Sequence, residues 1–365
     1  MRARTAAVVA AFALAACVAH AARHVGFEAD AFNRVYPSAY AKDAVFSPLS
    51  FEIDCVAFAE TMDTIAKAHV AETMGVLVDL EGVYGPLIEA FDVRTNGFSL
   101  VSARAFCVPD MRDSLPAFRR QLQRSLRVET CNLLPKDGAE AWLKATMDGE
   151  MEDFELPVSA AVSERYSYYD LVSVKASFLE PLPGDGTRRM QFRRADGTSA
   201  EMDFACGACG ATVREDRDYS LVRIPLRGES VFFALIPKGK AGLADVKPEI
   251  SSLEIDRLLS VSSGGTPVRV AIPPVSISSR FEFSQVLRYY RFQYSGLVRI
   301  AGARPPREIV QEAKFSLAAT DEAAKPVEAS ADAPEIAFDK PFVFFVYHEA
   351  TGTMPIAGQF TGVRQ

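Results

Sequence analysis

Phe338-Asp339-Lys340-Pro341-Phe342-Val343-Phe344-Phe345-Val346-Tyr347, followed beyond Glu349-Ala350-Thr351-Gly352 by Met354 to Phe360, is the stretch on which the fold turns. Phe342 to Tyr347 is apolar throughout and rich in aromatic and β-branched residues, so it reads as a strand inside a core. The short polar connection ending in glycine makes Met354 to Phe360 its antiparallel partner. Upstream, between Ala318 and Glu335, the apolar anchors vanish into Ala, Glu, Asp, Ser, Lys and Pro. A solvated loop that long in a compact domain is usually functional or disordered, and exposure is expected to peak from Thr320 to Glu335.

The rest of the C-terminal half is β-rich, with strands expected at Tyr219 to Leu226, Val231 to Pro237 and Val268 to Ile277. The N-terminal half opens helically from Phe27 to about Gly75. Phe46-Ser47-Pro48-Leu49-Ser50 starts a buried helix there, because serine can cap and proline tolerates the first turn. Phe98 to Val108 reads as a strand, Leu115 to Leu126 as an amphipathic helix and Val128 to Leu134 as a strand, a unit of the kind that builds parallel pairs. Ala139 to Asp153 is expected to be a helix in which Trp142 is a packing anchor, and Tyr169 to Phe178 a strand. The pattern is that of an α+β domain displaying one long loop.

The chain has 365 residues, 49% hydrophobic and 24% charged, which suits a substantial core. A net charge of -7 gives no reason to expect nucleic acid, which needs a clustered basic face. The one basic cluster, Arg119 to Arg127, alternates with apolar residues as the outer side of a helix does.

Residues 1–16 read as an export signal: Arg2 and Arg4 precede an apolar run, Ala6 to Ala16, too short to span a bilayer. Leu14-Ala15-Ala16-Cys17 matches a lipobox, with Cys17 as lipid anchor and 17–26 as a short tether. Cleavage after Ala19-His20-Ala21 is the other route, so a cell-envelope lipoprotein and a secreted protein are both expected products. Contact with a membrane is expected only through such an anchor. Cys55, Cys107, Cys131, Cys206 and Cys209 then remain, an odd number that argues against a complete disulfide framework. Cys206-Gly207-Ala208-Cys209 has no second ligand pair, so a local disulfide or two free thiols is expected there rather than a metal. No cofactor is implied.

In collinear order from about Phe27 to Val363, the chain resembles the serpin family. Phe46-Ser47-Pro48-Leu49-Ser50 looks like that family's Phe-Ser-Pro-x-Ser. Ser102-Ala103-Arg104-Ala105-Phe106 and Leu171-Val172-Ser173 resemble its next two blocks, the latter its Leu-Val-Asn. Asp196-Gly197-Thr198 with Met202, Ile224-Pro225-Leu226 and Phe233-Ala234-Leu235-Ile236-Pro237 follow. Phe338 to Phe345 with Thr351-Gly352-Thr353 and Gly358 is the most specific match.

The resemblance implies a serpin domain over 27–365, with three β-sheets, about eight or nine helices and an exposed reactive-centre loop at Thr320 to Glu335. It implies inhibition by suicide-substrate insertion of the cleaved loop into the main sheet. Partners would be serine or cysteine proteases, with the protein itself a monomer and not an enzyme. The scissile bond is expected among Glu328, Ala329, Ser330, Ala331, Asp332 and Ala333, where small residues suit an elastase-like or subtilisin-like pocket. The hinge would be Thr320, Asp321, Glu322, Ala323, Ala324, Lys325 and Pro326; Ser47, Ser50, Ser173 and Gln311 would control sheet opening.

The hinge departs from the family pattern: with Glu322-Ala323-Ala324 matched to the family's Glu-Ala-Ala, Thr320 replaces a glycine and Asp321 stands where a small residue is usual, whereas a one-residue slip puts Thr320 there instead. In either register Pro326 lacks the N–H a central strand needs. Ala319 to Pro341 is also about five residues shorter than in inhibitors, removing about 16 Å of reach at roughly 3.3 Å per residue. These features point to the alternative, a non-inhibitory surface protein binding a partner or ligand. A hydrolase is not expected: there is no Gly-x-Ser-x-Gly elbow, and His348 sits in the hairpin.

Overall fold

The computed structural model describes residues 27–35, 41–75, 84–85, 87–88, 97–108, 110, 115–132, 136–155, 165–183, 186–239, 242–246, 267–290, 292, 306–321, 327–330 and 332–363. The export signal 1–16, the tether 17–26 with Cys17, and the loop positions Glu322, Ala323, Ala324, Lys325, Pro326 and Ala331 lie outside the described residues.

Helix α1 (residues 27–35) and strand β1 (Ala44–Phe46) lead into α2 (Pro48–Thr61), whose fourteen residues are all buried. The Ser47 hydroxyl caps α2 by accepting the Ser50 N–H, and Pro48 takes the first turn, where no N–H is required. A helix buried on every side must satisfy its own polar groups. Tyr84 accordingly donates to Glu52 at 2.7 Å and Tyr168 to Asp54 at 2.6 Å. Helix α3 (Thr64–Met74) follows and ends at Gly75, whose φ of 66° is the left-handed cap that glycine adopts without strain.

β2 (Phe98–Val108), α4 (Pro116–Leu126) and β3 (Val128–Asn132) form the expected strand–helix–strand unit, with β2 and β3 parallel. Phe118, Leu122 and Leu126 face inward, which puts Arg120 and Arg124 outside. Helix α5 (Lys136–Thr146) is shorter than the expected 139–153, because Asp148 and Gly149 take positive φ and the chain turns.

β4 (Ser167–Pro183) is longer than expected, and β5 (Thr187–Arg193) and β6 (Ser199–Cys209) form a hairpin that the sequence reading had not assigned. β7 (Thr212–Glu215), β8 (Tyr219–Leu226), β9 (Ser230–Pro237) and the short α6 (Leu243–Val246) come next. The strand expected at Val268 to Ile277 is two, β10 (Val268–Ile272) and β11 (Val275–Glu282), since Pro273-Pro274 supplies no ladder N–H and sends the chain into another sheet. After α7 (Ser284–Tyr289) come β12 (Ile309–Asp321), β13 (Glu335–Ala337), β14 (Phe342–His348) and β15 (Thr353–Phe360).

Three sheets result. The first runs β3-β2-β4-β12-β11, the second β7-β8-β9-β14-β15-β1, and the third β13-β10-β6-β5; Phe178 opposite Leu226 links the first two. The hairpin β14–β15 lies in the core as expected, every residue of its two strands but His348 buried. Gly358 is required there: a Cβ would stand 2.5 Å from the Ala44 carbonyl oxygen, so β1 could not lie against β15.

Candidate functional site

The first sheet is antiparallel at β2–β4 and β12–β11, but β4 and β12 between them are parallel neighbours from Ile309 opposite Tyr168 to Asp321 opposite Pro183. The long loop leaves from the top of β12. Two residues expected in the hinge, Thr320 and Asp321, are therefore ladder residues, because β4 extends to Pro183 and supplies them with a partner. A register shift between Ala318 and Thr320 marks where that upper pairing departs from the regular ladder.

On the inner face a transverse row of residues crosses the seam: Arg104 on β2 lies opposite Asp170 on β4, which lies opposite Gln311 on β12. The Gln311 amide accepts the Ser47 N–H at 2.7 Å, donates to the Ser47 carbonyl at 3.2 Å, and donates to Asp170 Oδ2 at 2.8 Å. Only one orientation of the amide satisfies all three. Ser50 donates to Asp170 Oδ1 at 2.9 Å, Ser47 donates to the Pro355 carbonyl at 2.7 Å, and Arg104 Nε donates to Ser50 at 3.0 Å. One side chain on β12 is thus tied to both the start of α2 and β4.

Charge in this network is shared among Arg104 and two carboxylates, Asp54 at 3.5 Å and Asp170 at 3.4 Å from Nε. Burial, and then the negative charge of Asp170, push the Asp54 carboxyl well above its ordinary range, with Arg104 and Tyr168 opposing. The raised Asp54 carboxyl favours its protonated form, which eases the burial of two carboxyl groups beside one guanidinium.

A second clasp closes the outer face. Beyond α5 the chain presents Glu150, whose carboxylate takes Lys175 at 2.7 Å and the Ser173 hydroxyl at 3.3 Å, both on β4. Its carbonyl accepts from Lys314 on β12 at 3.2 Å. Of the four residues expected to act together, the structure gathers Ser47, Ser50 and Gln311. Ser173 lies three residues along β4 and faces the opposite side, since side chains alternate across a strand, and it is Asp170 that stands opposite Gln311. Asp170, Arg104, Asp54 and Tyr168 were missed, although charges inside apolar strands and helices were the available signal.

The described part of the loop folds back toward the third sheet. Arg269 on β10 donates its backbone N–H to the Pro334 carbonyl at 2.9 Å and its guanidinium to the Ser330 carbonyl at 3.3 Å. Val327 and Ala329 are half-buried beside Pro183 and Val270 around a cavity of about 280 Å3, while Glu328, Ser330 and Asp332 are exposed. Candidate scissile positions are therefore partly tethered, not uniformly free.

A family model described as serpin, serine protease inhibitor, matches residues 23–362. The chain belongs to the serpin family. Human glia-derived nexin is 22% identical over 247 residues, 61% of this chain and 61% of that protein, so the match spans less than two thirds of the relative. Native protease nexin-1 solved with heparin is 20% identical with a TM-score of 0.80, covering 94% of this chain and 99% of that one. Human thyroxine-binding globulin, solved in complex with thyroxine, is 14% identical with a TM-score of 0.81, covering 96% of this chain and 100% of that one. Tengpin, a thermophilic serpin in its native state, is 13% identical with a TM-score of 0.79, covering 93% of each chain. These likenesses establish the serpin fold of this chain.

Elsewhere in this serpin, Cys206 and Cys209 are buried free thiols on β6. No group of three or more His, Cys, Asp or Glu among the described residues is placed to hold a metal, and no described helix is long and apolar enough to cross a membrane. His348 Nδ1 lies 2.8 Å from the Thr351 hydroxyl, and burial lowers its pKa.

Proposed function

We propose that this serpin is a serine-type endopeptidase inhibitor that offers residues 322–334 as bait and, once cut, inserts the loop into only the upper part of the β4–β12 seam. The observation that carries this is the uninserted parallel pair β4–β12, with the loop leaving from the top of β12. An antiparallel strand entering between them would satisfy both flanking ladders. The small residues Ala329 and Ser330 favour an elastase-like or subtilisin-like protease.

The seam is thirteen residues tall, about 43 Å at roughly 3.3 Å per residue. A cut after Ala329 frees eight residues, Glu322 to Ala329, about 26 Å of strand. Carriage of the protease is correspondingly short, so most encounters end as simple cleavage and a minority as trapped acyl-enzyme. The test is to mix the protein with an elastase-like serine protease and resolve the products under denaturing conditions. A minor SDS-resistant complex beside abundant cleaved serpin is expected.

Complete absence of such a complex with elastase-like and subtilisin-like proteases alike would leave the second reading, a non-inhibitory serpin that binds a ligand or partner. That reading draws on the short loop and on a cavity of about 450 Å3 beside β2, where Arg104, Arg127 and Trp142 meet Leu100 and Ile53.

A further inference from the structure

The sulfurs of Cys107 and Cys131 lie 2.8 Å apart. They face each other across the parallel pair β2–β3, where Cys107 is directly opposite Cys131. Neighbouring strands lie about 4.8 Å apart, within the Cα separation that a disulfide spans without backbone movement. The other described thiols have no such arrangement. Cys55 lies buried in α2, and Cys206 and Cys209, three apart on one strand, point to opposite faces.

We propose that Cys107 and Cys131 form a dithiol–disulfide site that closes, in an oxidising compartment, into a cross-strand bond stapling the edge strand β3 to β2. Exposure sets the order of events, because Cys131 is partly exposed whereas Cys107 is buried. Burial also raises the Cys107 thiol, so Cys131 is the entering group. The oxidant is a low-molecular-weight disulfide such as glutathione disulfide. The Cys131 thiolate attacks one of its sulfurs, the small S–S bond breaks, and one glutathione leaves as a thiolate and takes up a proton. Cys107 then gives up its proton and attacks the Cys131 sulfur, expelling the second glutathione. Two protein thiols are oxidised and one small disulfide is reduced to two thiols. The bond closes a loop over α4 and secures β3, an edge strand that among the described strands pairs with β2 alone. This inference is independent of the proposed inhibitory function.

The test treats the folded full-length protein with glutathione disulfide, alkylates free thiols and digests without reductant. Tryptic peptides 105–112 and 128–136 should appear joined, with alkylation persisting at Cys55, Cys206 and Cys209. The oxidised protein should melt about 5 °C above the reduced one, the shift expected for a loop of this size in a domain this large. Cys107→Ser should retain glutathione on Cys131 and lose both the joined peptide and the shift. Full alkylation of both thiols in the treated wild type, or a stable glutathione adduct on its Cys131 without the joined peptide, would overturn the proposal. Both readouts use the wild-type protein and so do not depend on the variant folding.

Discussion

Cutting the loop after Ala329 and measuring the melting temperature before and after tests how far this sequence can complete its own sheet. Insertion replaces the β4–β12 ladder by two ladders, a net gain of roughly one hydrogen bond, about 1 kcal/mol, per inserted residue. Ordering the backbone costs roughly 1–2 kcal/mol per residue, so for eight residues the main chain comes out near or below zero and the side chains decide the sign. Strand alternation divides the loop into Ala323, Lys325, Val327 and Ala329 on one face and Glu322, Ala324, Pro326 and Glu328 on the other. Turning the first set inward buries Val327, a gain of about 2 kcal/mol, together with Lys325, whose unpaired burial costs at least as much. Turning the second set inward buries two carboxylates. Pro326 removes a ladder N–H in either case. The net change should stay within about 3 kcal/mol, which for a domain of this length moves the melting temperature by no more than about 4 °C. The assay is calorimetry or circular dichroism on the full chain after limited proteolysis, with mass spectrometry locating the cut. Lys325→Ala with Pro326→Ala should raise the melting temperature of the cleaved form by about 6 °C relative to cleaved wild type, because the buried charge is gone and a ladder bond returns. A rise of about 20 °C in the wild type would need on the order of 14 kcal/mol. That result would refute both the parity argument and the view that insertion is partial.

Gln311→Ala removes three hydrogen bonds and strands the Ser47 backbone and Asp170 Oδ2; a loss of about 3 kcal/mol, or roughly 4 °C, is expected by thermal melting, with faster loop insertion after cleavage. Asp54→Asn tests the buried carboxyl: because its folded pKa is raised, the native state holds a proton that the unfolded chain releases, and stability declines as pH rises from the ordinary carboxylate value toward the raised one. The variant should flatten that slope while keeping the Tyr168 hydrogen bond, and melting curves with the same slope in both proteins would assign the decline to other groups. At the N-terminus, Cys17→Ser should block processing or release the protein from the membrane fraction, whereas mature protein beginning at Ala22 would decide for soluble export.

Much of the architecture was legible in order along the chain, and for local reasons. The run Phe342–Tyr347 with its glycine-ended turn, the Ser-Pro start of α2, and the helix between β2 and β3 are each set by residues close in sequence. Strand ends were harder to place. β4 runs to Pro183 and β12 to Asp321 because each gives the other a partner across about 140 residues of chain, a non-local pairing that propensity does not register. The same cause drew Thr320 and Asp321 out of the expected hinge.

The sequence by itself determined the family, the buried hairpin, the position of the long loop, and the charges and proline that make that loop a reluctant strand, because composition and local spacing carry all of these. Only the tertiary structure decided which residues close the seam. The resemblance grouped Ser173 with Gln311, but the parallel register of β4 and β12 sets Asp170 opposite Gln311, and the alternation of side chains sends Ser173 to the other face with Glu150. Register also brought Arg104 and Asp54 into the network and Cys107 against Cys131. A shift of three residues along a strand leaves composition and periodicity almost unchanged, yet it turns a residue to the opposite face, so contact across a sheet is fixed by pairing, which no single segment encodes.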